Sequence, residues 1–269
     1  MNNIYIKSFE DFNISESESN KLSIEDNVLI KCTDNTLTSI VIPNTVTSIA
    51  GNAFQFCKNL KEVNIPTSCK FIGNGAFYGC DSLESIIIPN SVTDISPWAF
   101  YGCNKLILVT LPETLESIDD ALFYDCINIR SVAIPKSVTY IGGSSFRNNN
   151  LDHIVIPSLV KEIGGWAFCS CTNLESVTIP ASVTSIGGKA FDKCPLKDLD
   201  LITALLITKL SDRDVMNCVK KDLKLSKEEQ YEALKVAKMH NVFDLVKPYI
   251  NEDLWYANRG SRGVLSLED

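Results

Sequence analysis

Seven prolines recur at intervals of 22 or 23 residues, and this regular spacing constrains the fold more than any other feature of the chain. Seven phenylalanines keep the same interval. A fixed period in the twenties is typical of a solenoid, in which one unit cannot bury its apolar face alone and packs it against the next unit. The sequence therefore predicts a stacked repeat array. The two sets are Pro43, Pro66, Pro89, Pro112, Pro135, Pro157 and Pro180, and Phe54, Phe77, Phe100, Phe123, Phe146, Phe168 and Phe191.

Each unit opens with the pattern L-x-x-[I/V/L]-x-[I/L], as in Leu83–Ile88. Alternation at the end of this pattern predicts a short strand with one buried face, and the proline that follows ends the strand because it has no N–H to extend a ladder. The Ile-Gly-Gly triplets at 141–143, 163–165 and 186–188 offer a permissive backbone for the next bend, and Ala-Phe then fills the interior. Strands that repeat in one direction pair in parallel, which predicts a solenoid with a parallel sheet.

The repeat pattern divides the chain into three parts. Residues 1–36 do not fit the pattern, and we interpret them as an N-terminal segment that caps the open end of the array. Residues 37–201 form the array, in which two units are one residue short and the last has no proline. Residues 202–269 predict helices, one of which opens with a capping box of Ser226 and Glu229. We interpret this part as a helical C-terminal cap, with a separate binding module as the alternative.

Charge and hydropathy argue against two classes of partner. The net charge is −8 and the isoelectric point is near 4.9, whereas binding of nucleic acid requires clustered lysine and arginine. No run approaches the ~18–20 apolar residues of a membrane-spanning helix, and no secretory signal is visible. The sequence therefore predicts a soluble, cytoplasmic protein that binds neither nucleic acid nor membrane.

Six of the ten cysteines lie three residues after a repeat phenylalanine. Stacked units would place equivalent Cα atoms roughly 4.8 Å apart, a distance that a disulfide can span. The favoured interpretation is a small, buried, reduced side chain in a tight turn, because the fifth unit has Asn149 at this position. No CxxC pair is present, and no metal site is predicted. The six are Cys57, Cys80, Cys103, Cys126, Cys171 and Cys194.

The combined pattern LxxIxIPxxVTxIGxxAFxxCxx resembles the BspA-type (Treponema pallidum-type) leucine-rich repeat over roughly residues 37–201. The match is specific, since Pro, Ile-Gly, Ala-Phe and Cys recur together in register. It implies a leucine-rich repeat solenoid with a parallel β-sheet on the concave face and turns and short extended or helical segments on the convex face. It also implies adhesion to host or matrix proteins, or binding of other proteins. A cell-surface location is therefore the alternative to a cytoplasmic one, although typical surface members carry a secretion signal or anchor.

No catalytic arrangement accompanies the repeats. His153 is predicted to point outward between Ser131 and Ser176 of the adjacent strands, but no orienting acid or oxyanion loop accompanies these residues. The glycines follow the repeat and form no phosphate-binding motif. The sequence therefore predicts a protein that is not an enzyme and needs no cofactor.

Two sets of aromatic residues are predicted outside the phenylalanine column. Tyr78, Tyr101 and Tyr124 each follow a repeat phenylalanine, and stacking between them favours a structural role over a ligand platform. Trp98 and Trp166 share an equivalent position just before Ala-Phe, and both are expected to lie partly exposed on the convex side.

The outward positions of the predicted concave strands carry the candidate binding residues. Because alternate side chains of a strand share one face, the middle strands present four apolar residues and one histidine to solvent. Contiguous exposed apolar area usually marks an interface. Two aspartates at one end of this face suit a partner with a basic rim. The candidate residues are Ile87, Leu108, Ala133, His153, Val155, Asp198 and Asp200.

The pattern thus favours a non-enzymatic protein–protein interaction scaffold that binds a protein partner on its concave face. A homo-oligomer formed through the same face is a variant of this hypothesis. The alternative hypothesis is an adhesin-like surface module that binds host or matrix proteins.

Overall fold

The protein is a parallel-strand solenoid, as the period predicts. The computed structural model describes residues 21–197, 199–210, 218–219, 224–240 and 243–254. Each regular coil places one strand on each of two walls. The first wall holds the L-x-x-I-x-I strands β3 (Ser39–Val41), β5 (Glu62–Asn64), β7 (Ser85–Ile87), β9 (Leu108–Thr110), β12 (His153–Val155) and β14 (Ser176–Thr178). The second wall holds two-residue strands, β4 (Ser48–Ile49), β6 (Phe71–Ile72), β8 (Asp94–Ile95), β10 (Ser117–Ile118), β11 (Tyr140–Ile141), β13 (Glu162–Ile163) and β15 (Ser185–Ile186).

The array begins with a hairpin of β1 (Leu22–Glu25) and β2 (Val28–Cys32). Asp26 and Asn27 form its turn with positive φ angles of 49° and 64°, the geometry that two-residue hairpin loops require. β2 then pairs in parallel with β4 and so covers the first edge of the second wall.

Hydrogen bonding on the first wall is less continuous than the sequence predicts. The strands pair in parallel, as predicted, but only as β3–β5, β7–β9 and β12–β14. The fifth segment, Ser131–Ile134, forms no ladder with either neighbour, although Val132 and Ile134 are still buried. On the second wall the ladders are longer, in the orders β1-β2-β4-β6-β8 and β10-β11-β13-β15. Burial of inward side chains, more than unbroken backbone pairing, therefore holds the first wall together.

Each repeat proline opens the turn between the two walls. The carbonyl of Pro89 accepts a hydrogen bond of 3.0 Å from the N–H of Val92, and the other six prolines make the same contact. Because proline fixes its own φ and donates no hydrogen bond, it both ends the strand and favours this turn.

Two columns of side chains fill the space between the walls. The seven repeat phenylalanines are fully buried and stack with ring centroids 5.0–5.6 Å apart. The repeat cysteines are buried free thiols, as predicted, and five of them donate to the carbonyl of the phenylalanine in the preceding unit at 3.1–3.3 Å. Each of these carbonyls also accepts the backbone N–H three residues later in its own unit, so the thiol is a second donor to the oxygen and is itself satisfied in the core.

The fifth unit departs from this arrangement of buried side chains. Asn149 replaces the cysteine, and its Nδ2 donates to the Phe123 carbonyl at 2.8 Å, the contact that Sγ makes elsewhere. The buried Asn149 Oδ1 has no hydrogen-bond partner, and neither has the hydroxyl of Ser145, which stands where other units have alanine or leucine. This unit is also the one without a ladder on the first wall.

The Ile-Gly-Gly triplets are explained by close packing. A Cβ on Gly187 would lie 2.2 Å from the backbone nitrogen of Gly165 in the neighbouring coil, closer than any real contact. Gly187 does not have a positive φ, so the prediction that the triplet serves backbone bending is replaced here by steric contact between coils.

The described residues of the C-terminal part are mostly helical. Its helices are α1 (Leu201–Leu210), α2 (Lys227–His240) and α3 (Phe243–Val246), followed by a 3-10 turn at Lys247–Tyr249. The predicted capping box of α2 is confirmed, because Glu229 N–H donates to Ser226 Oγ at 3.2 Å and Ser226 N–H donates to Glu229 Oε2 at 2.7 Å.

Helix α1 begins at Leu201, which the sequence pattern assigned to the last residue of the repeat array. Only Leu199 keeps strand character, in a parallel bridge with Val219. Asp200 caps the helix, since its carboxylate accepts the Thr203 N–H at 2.9 Å. The Thr203 hydroxyl in turn accepts the buried N–H of Ile179 at 3.0 Å. It thereby replaces the carbonyl that a further coil would supply.

Candidate functional site

The outward side of the L-x-x-I-x-I segments, which we call the strand face, carries most of the predicted binding residues. Leu108 is 43% exposed and Val155 is 60% exposed, and Ala133 is also exposed. Ile87 is only half-buried beside its register partner Thr110, so it contributes less surface than predicted. The outward positions are Ser39, Val41, Glu62, Asn64, Ser85, Ile87, Leu108, Thr110, Ser131, Ala133, His153, Val155, Ser176 and Thr178.

Ile107 extends this surface and was missing from the predicted set. It is 61% exposed, the highest value for a large apolar side chain in the described part of the chain. The sequence did contain a signal. The first unit has Thr38 at this position, and the corresponding residues of the six other units are charged. They are Lys61, Glu84, Arg130, Asp152, Glu175 and Lys197. Ile107 and Leu108 follow the first leucine of their unit, and no other unit has apolar residues at both of these consecutive positions.

His153 lies opposite Ser176 in the register of β12 and β14, as predicted, and is exposed. Ser131 belongs to the segment without a ladder. Among the described residues, the His153 imidazole has no hydrogen bond or ion pair, and it lines neither of the two clefts described below. His153 is therefore an exposed outward position of the strand face with no cleft around it.

Of the two predicted aspartates, Asp200 is bound to the start of α1. Asp200 is half-buried, and both of its carboxylate oxygens bind Thr203, at 2.9 Å to the N–H and 2.7 Å to the hydroxyl. Its charge is thus committed to the start of α1 and to the helix dipole. Asp198 lies outside the described residues.

Aromatic residues form a stacked ladder at the Ala-Phe turns, outside the column of buried phenylalanines. Ring centroids are 4.7 Å apart between Tyr78 and Tyr101 and 4.8 Å apart between Tyr101 and Tyr124. Phe56 meets Tyr78 edge-on at 5.4 Å, and the Arg147 guanidinium lies 5.3 Å from the centre of the Tyr124 ring. Contacts within the chain therefore occupy both ends of the ladder, which supports its predicted structural role. A cleft of about 370 Å³ between Phe56 and Tyr101 lies alongside it.

A second cleft, of about 530 Å³, extends from Trp98 to Trp166. These side chains are 48% and 47% exposed, which confirms the prediction that both lie partly at the surface. Small residues, Ala121 and Ser144, occupy the equivalent positions in the two units between them. The aromatic and charged residues that line this cleft are Trp98, Tyr101, Tyr124, Tyr140, Trp166, Asp120 and Glu162.

The second cleft is acidic. Asp120 Oδ1 accepts the Gly143 N–H at 2.6 Å and faces the Tyr140 hydroxyl at 3.4 Å. Burial raises the pKa of the Tyr140 phenol, and the charges of Asp120 and Glu162 raise it further. The phenol is therefore a neutral donor near pH 7. Glu162 is exposed, and the residues that line the cleft include no lysine or arginine.

The repeat matches a known family. The family model for the BspA type leucine rich repeat region matches residues 22–152 and 141–220, with six copies of the repeat. The chain belongs to the BspA-type leucine-rich repeat family. The match begins at β1, earlier than the predicted start at residue 37, and ends beyond α1.

Two solved structures of bacterial leucine-rich repeat proteins are similar to this BspA-type protein. The Treponema pallidum leucine-rich repeat protein has 28% identity and a TM-score of 0.61, over 66% of this chain and 87% of its own. A leucine-rich repeat protein from Eubacterium ventriosum has 27% identity and a TM-score of 0.59, over 64% of this chain and 47% of its own. No curated protein matches the chain significantly.

In the described ranges, no three histidine, cysteine or acidic side chains group in a way that would hold a metal ion. None of the helices in those ranges has both the length and the apolar character needed to cross a membrane.

Proposed function

We propose that this BspA-type protein is a non-enzymatic interaction scaffold that binds a protein partner on its strand face. The observation that supports the proposal is the exposed apolar pair Ile107–Leu108 at β9. Every neighbouring unit has at least one polar or charged residue at these two positions. The two apolar side chains therefore depart from the repeat pattern, and because they are exposed, the core does not require them.

Folding does not account for the two exposed side chains. The core of this unit is filled by Leu106 and Val109, which are 0% and 7% exposed. Burying one isoleucine or leucine completely is worth roughly 1.5–3 kcal/mol. Together Ile107 and Leu108 leave about one such side chain uncovered, and a partner that covers it gains that energy. Val155, further along the face, extends the same apolar surface.

The test is capture of partner proteins by immobilised full-length protein and by two variants, Ile107→Asp and Leu108→Asp. A charge in the buried centre of an interface opposes binding, and losing even 1.5 kcal/mol weakens affinity by about tenfold. We expect each variant to lose the partner. Both substitutions are at exposed positions, so the melting temperature should change little.

Ser39→Asp is the matched control, because Ser39 occupies the Leu108 position of another unit and is exposed. It should retain the partner. Retention of every partner by both apolar-pair variants would contradict the strand-face proposal. If the protein self-associates in size-exclusion chromatography and Leu108→Asp abolishes this, the partner is a second copy of the chain. Selective capture of matrix proteins would instead indicate the adhesin-like alternative.

A further inference from the structure

Trp98 and Trp166 occupy a backbone position that is unfavourable for tryptophan. Their φ angles are 59° and 56°, in the left-handed region, and the equivalent residues of the other units also have positive φ. Those residues are Asn52, Gly75, Ala121, Ser144 and Lys189. The coil therefore imposes a left-handed residue here. Glycine or asparagine adopts this conformation most readily, whereas a bulky side chain pays for it in strain.

Packing covers only about half of each tryptophan side chain. Gly75 shows that the coil forms without any side chain at this position. Strained, exposed side chains of this kind cluster at ligand-binding sites. Two tryptophans placed in this way, at the two ends of one cleft, point to a ligand that lies between them.

The spacing of the units sets the length of that ligand. Trp98 and Trp166 are three coils apart, and neighbouring parallel strands are about 4.8 Å apart, so the two backbone positions lie roughly 14 Å from each other. Four residues of extended peptide, at about 3.3 Å each, span the same distance. Ala121 and Ser144 leave the space between the rings open.

The charge of the cleft sets the chemistry of the ligand. Asp120 and Glu162 both line the cleft, and its lining includes no lysine or arginine. The Arg147 guanidinium lies on the ring of Tyr124. Asp120 Oδ1 is held by the Gly143 N–H, which orients the carboxylate. Arginine combines both requirements, because its guanidinium stacks on aromatic faces and pairs with carboxylates.

We propose that the cleft between Trp98 and Trp166 binds an extended, arginine-containing segment of a partner protein, with guanidinium groups on the indole rings and paired with Asp120 and Glu162. This surface is separate from the strand face, and none of the described strand-face residues lines it. A partner can therefore be bound at two independent places.

The experiment is calorimetric titration of the full chain with a blocked hexaarginine peptide at low and at 0.5 M salt. We expect saturable binding that weakens at least tenfold in high salt, since charge pairing at a surface is screened. Trp98→Asn and Trp166→Asn should each weaken binding roughly three- to tenfold. Glu162→Gln should weaken it by a similar factor. Asparagine tolerates the left-handed backbone, so the tryptophan variants should melt no lower than the wild type.

Leu159→Asn and Glu84→Gln are the matched controls. Leu159 is a similarly exposed apolar side chain and Glu84 a similarly exposed carboxylate, and neither lines the cleft. Both should bind hexaarginine within about twofold of the wild type. The proposal is overturned if hexaarginine does not bind saturably, or if the tryptophan variants bind it as tightly as the controls. It is also overturned if the tryptophan variants lose stability, or if neutral maltohexaose binds in place of the peptide. Loss of hexaarginine binding would leave capture by the strand face unaffected, so the two proposals fail separately.

Discussion

Replacing Asn149 by cysteine should stabilise the protein by about 1 kcal/mol. Asn149 is 3% exposed, and its Oδ1 has no hydrogen-bond partner. Leaving such a group buried and unpaired costs about 1–3 kcal/mol. A thiol removes that group and can still donate to the Phe123 carbonyl, as Cys126 does to Phe100. The thiol bond is weaker than the 2.8 Å amide bond it replaces, which offsets part of the gain.

The reciprocal substitution tests the same reasoning with the opposite sign. Cys103 is fully buried and donates to the Phe77 carbonyl at 3.3 Å. Asparagine in its place keeps a donor for that carbonyl but adds an amide oxygen without a partner. Cys103→Asn should therefore destabilise the protein by about 1–3 kcal/mol.

Urea unfolding followed by circular dichroism measures both changes. For a domain of this size, 1 kcal/mol shifts the melting temperature by about 2–4 °C. The dependence of the unfolding free energy on urea should keep its slope, because neither change alters the surface exposed on unfolding. A lower urea midpoint for Asn149→Cys, together with an unchanged midpoint for Cys103→Asn, would refute the argument that polar satisfaction governs this column.

Two further predictions concern the end of the array and its thiols. Thr203→Val should leave the buried Ile179 N–H without an acceptor and cost about 1–3 kcal/mol, seen as faster hydrogen exchange around Ile179. Thr184→Val, which removes an exposed hydroxyl bond, should leave exchange unchanged. Burial raises the pKa of the Cys80, Cys103 and Cys171 thiols above their ordinary value of 9.0, so their contribution to stability is complete below pH 9 and declines as pH rises further. At pH 10 the free energy of unfolding should have fallen by about 1.4 kcal/mol for each of these thiols. Cys103→Ala should reduce this fall by the contribution of one thiol. A stability profile that is flat from pH 8 to 10 would contradict this.

The repeating parts of the fold were predictable from the sequence, because a structural role assigned to a position in one unit applies to the same position in every unit. The positions of Phe77 and Cys80 within one unit fix those of the whole columns, and a column that recurs in register must stack. The capping box of Ser226 and Glu229 was predictable for a different reason. It is a local hydrogen-bond pattern that depends on residues three apart and on nothing more distant.

Several features depended on contacts between units or between parts of the chain. The second wall has only two residues in each strand, too few for alternation to reveal, and its ladders form because stacking brings equivalent residues together. Asp200 looked like a free charge at the end of a face, but Thr203 lies beside it once α1 begins. The Ile-Gly-Gly triplets looked like bending elements, whereas Gly187 is required by the backbone of the adjacent coil.

The candidate surfaces divide in the same way. The sequence by itself determined which side of each strand faces outward, because alternation has a period of two, and it thereby determined the exposure of Leu108 and Val155. It also contained the departure at Ile107, in a column that otherwise holds Thr38 and six charged residues. Only the tertiary structure decided that Trp98 and Trp166 stand at left-handed positions and line one cleft together with Asp120 and Glu162. That arrangement joins four units across 69 residues of sequence, and no local pattern encodes the stacking distance that makes it one cleft.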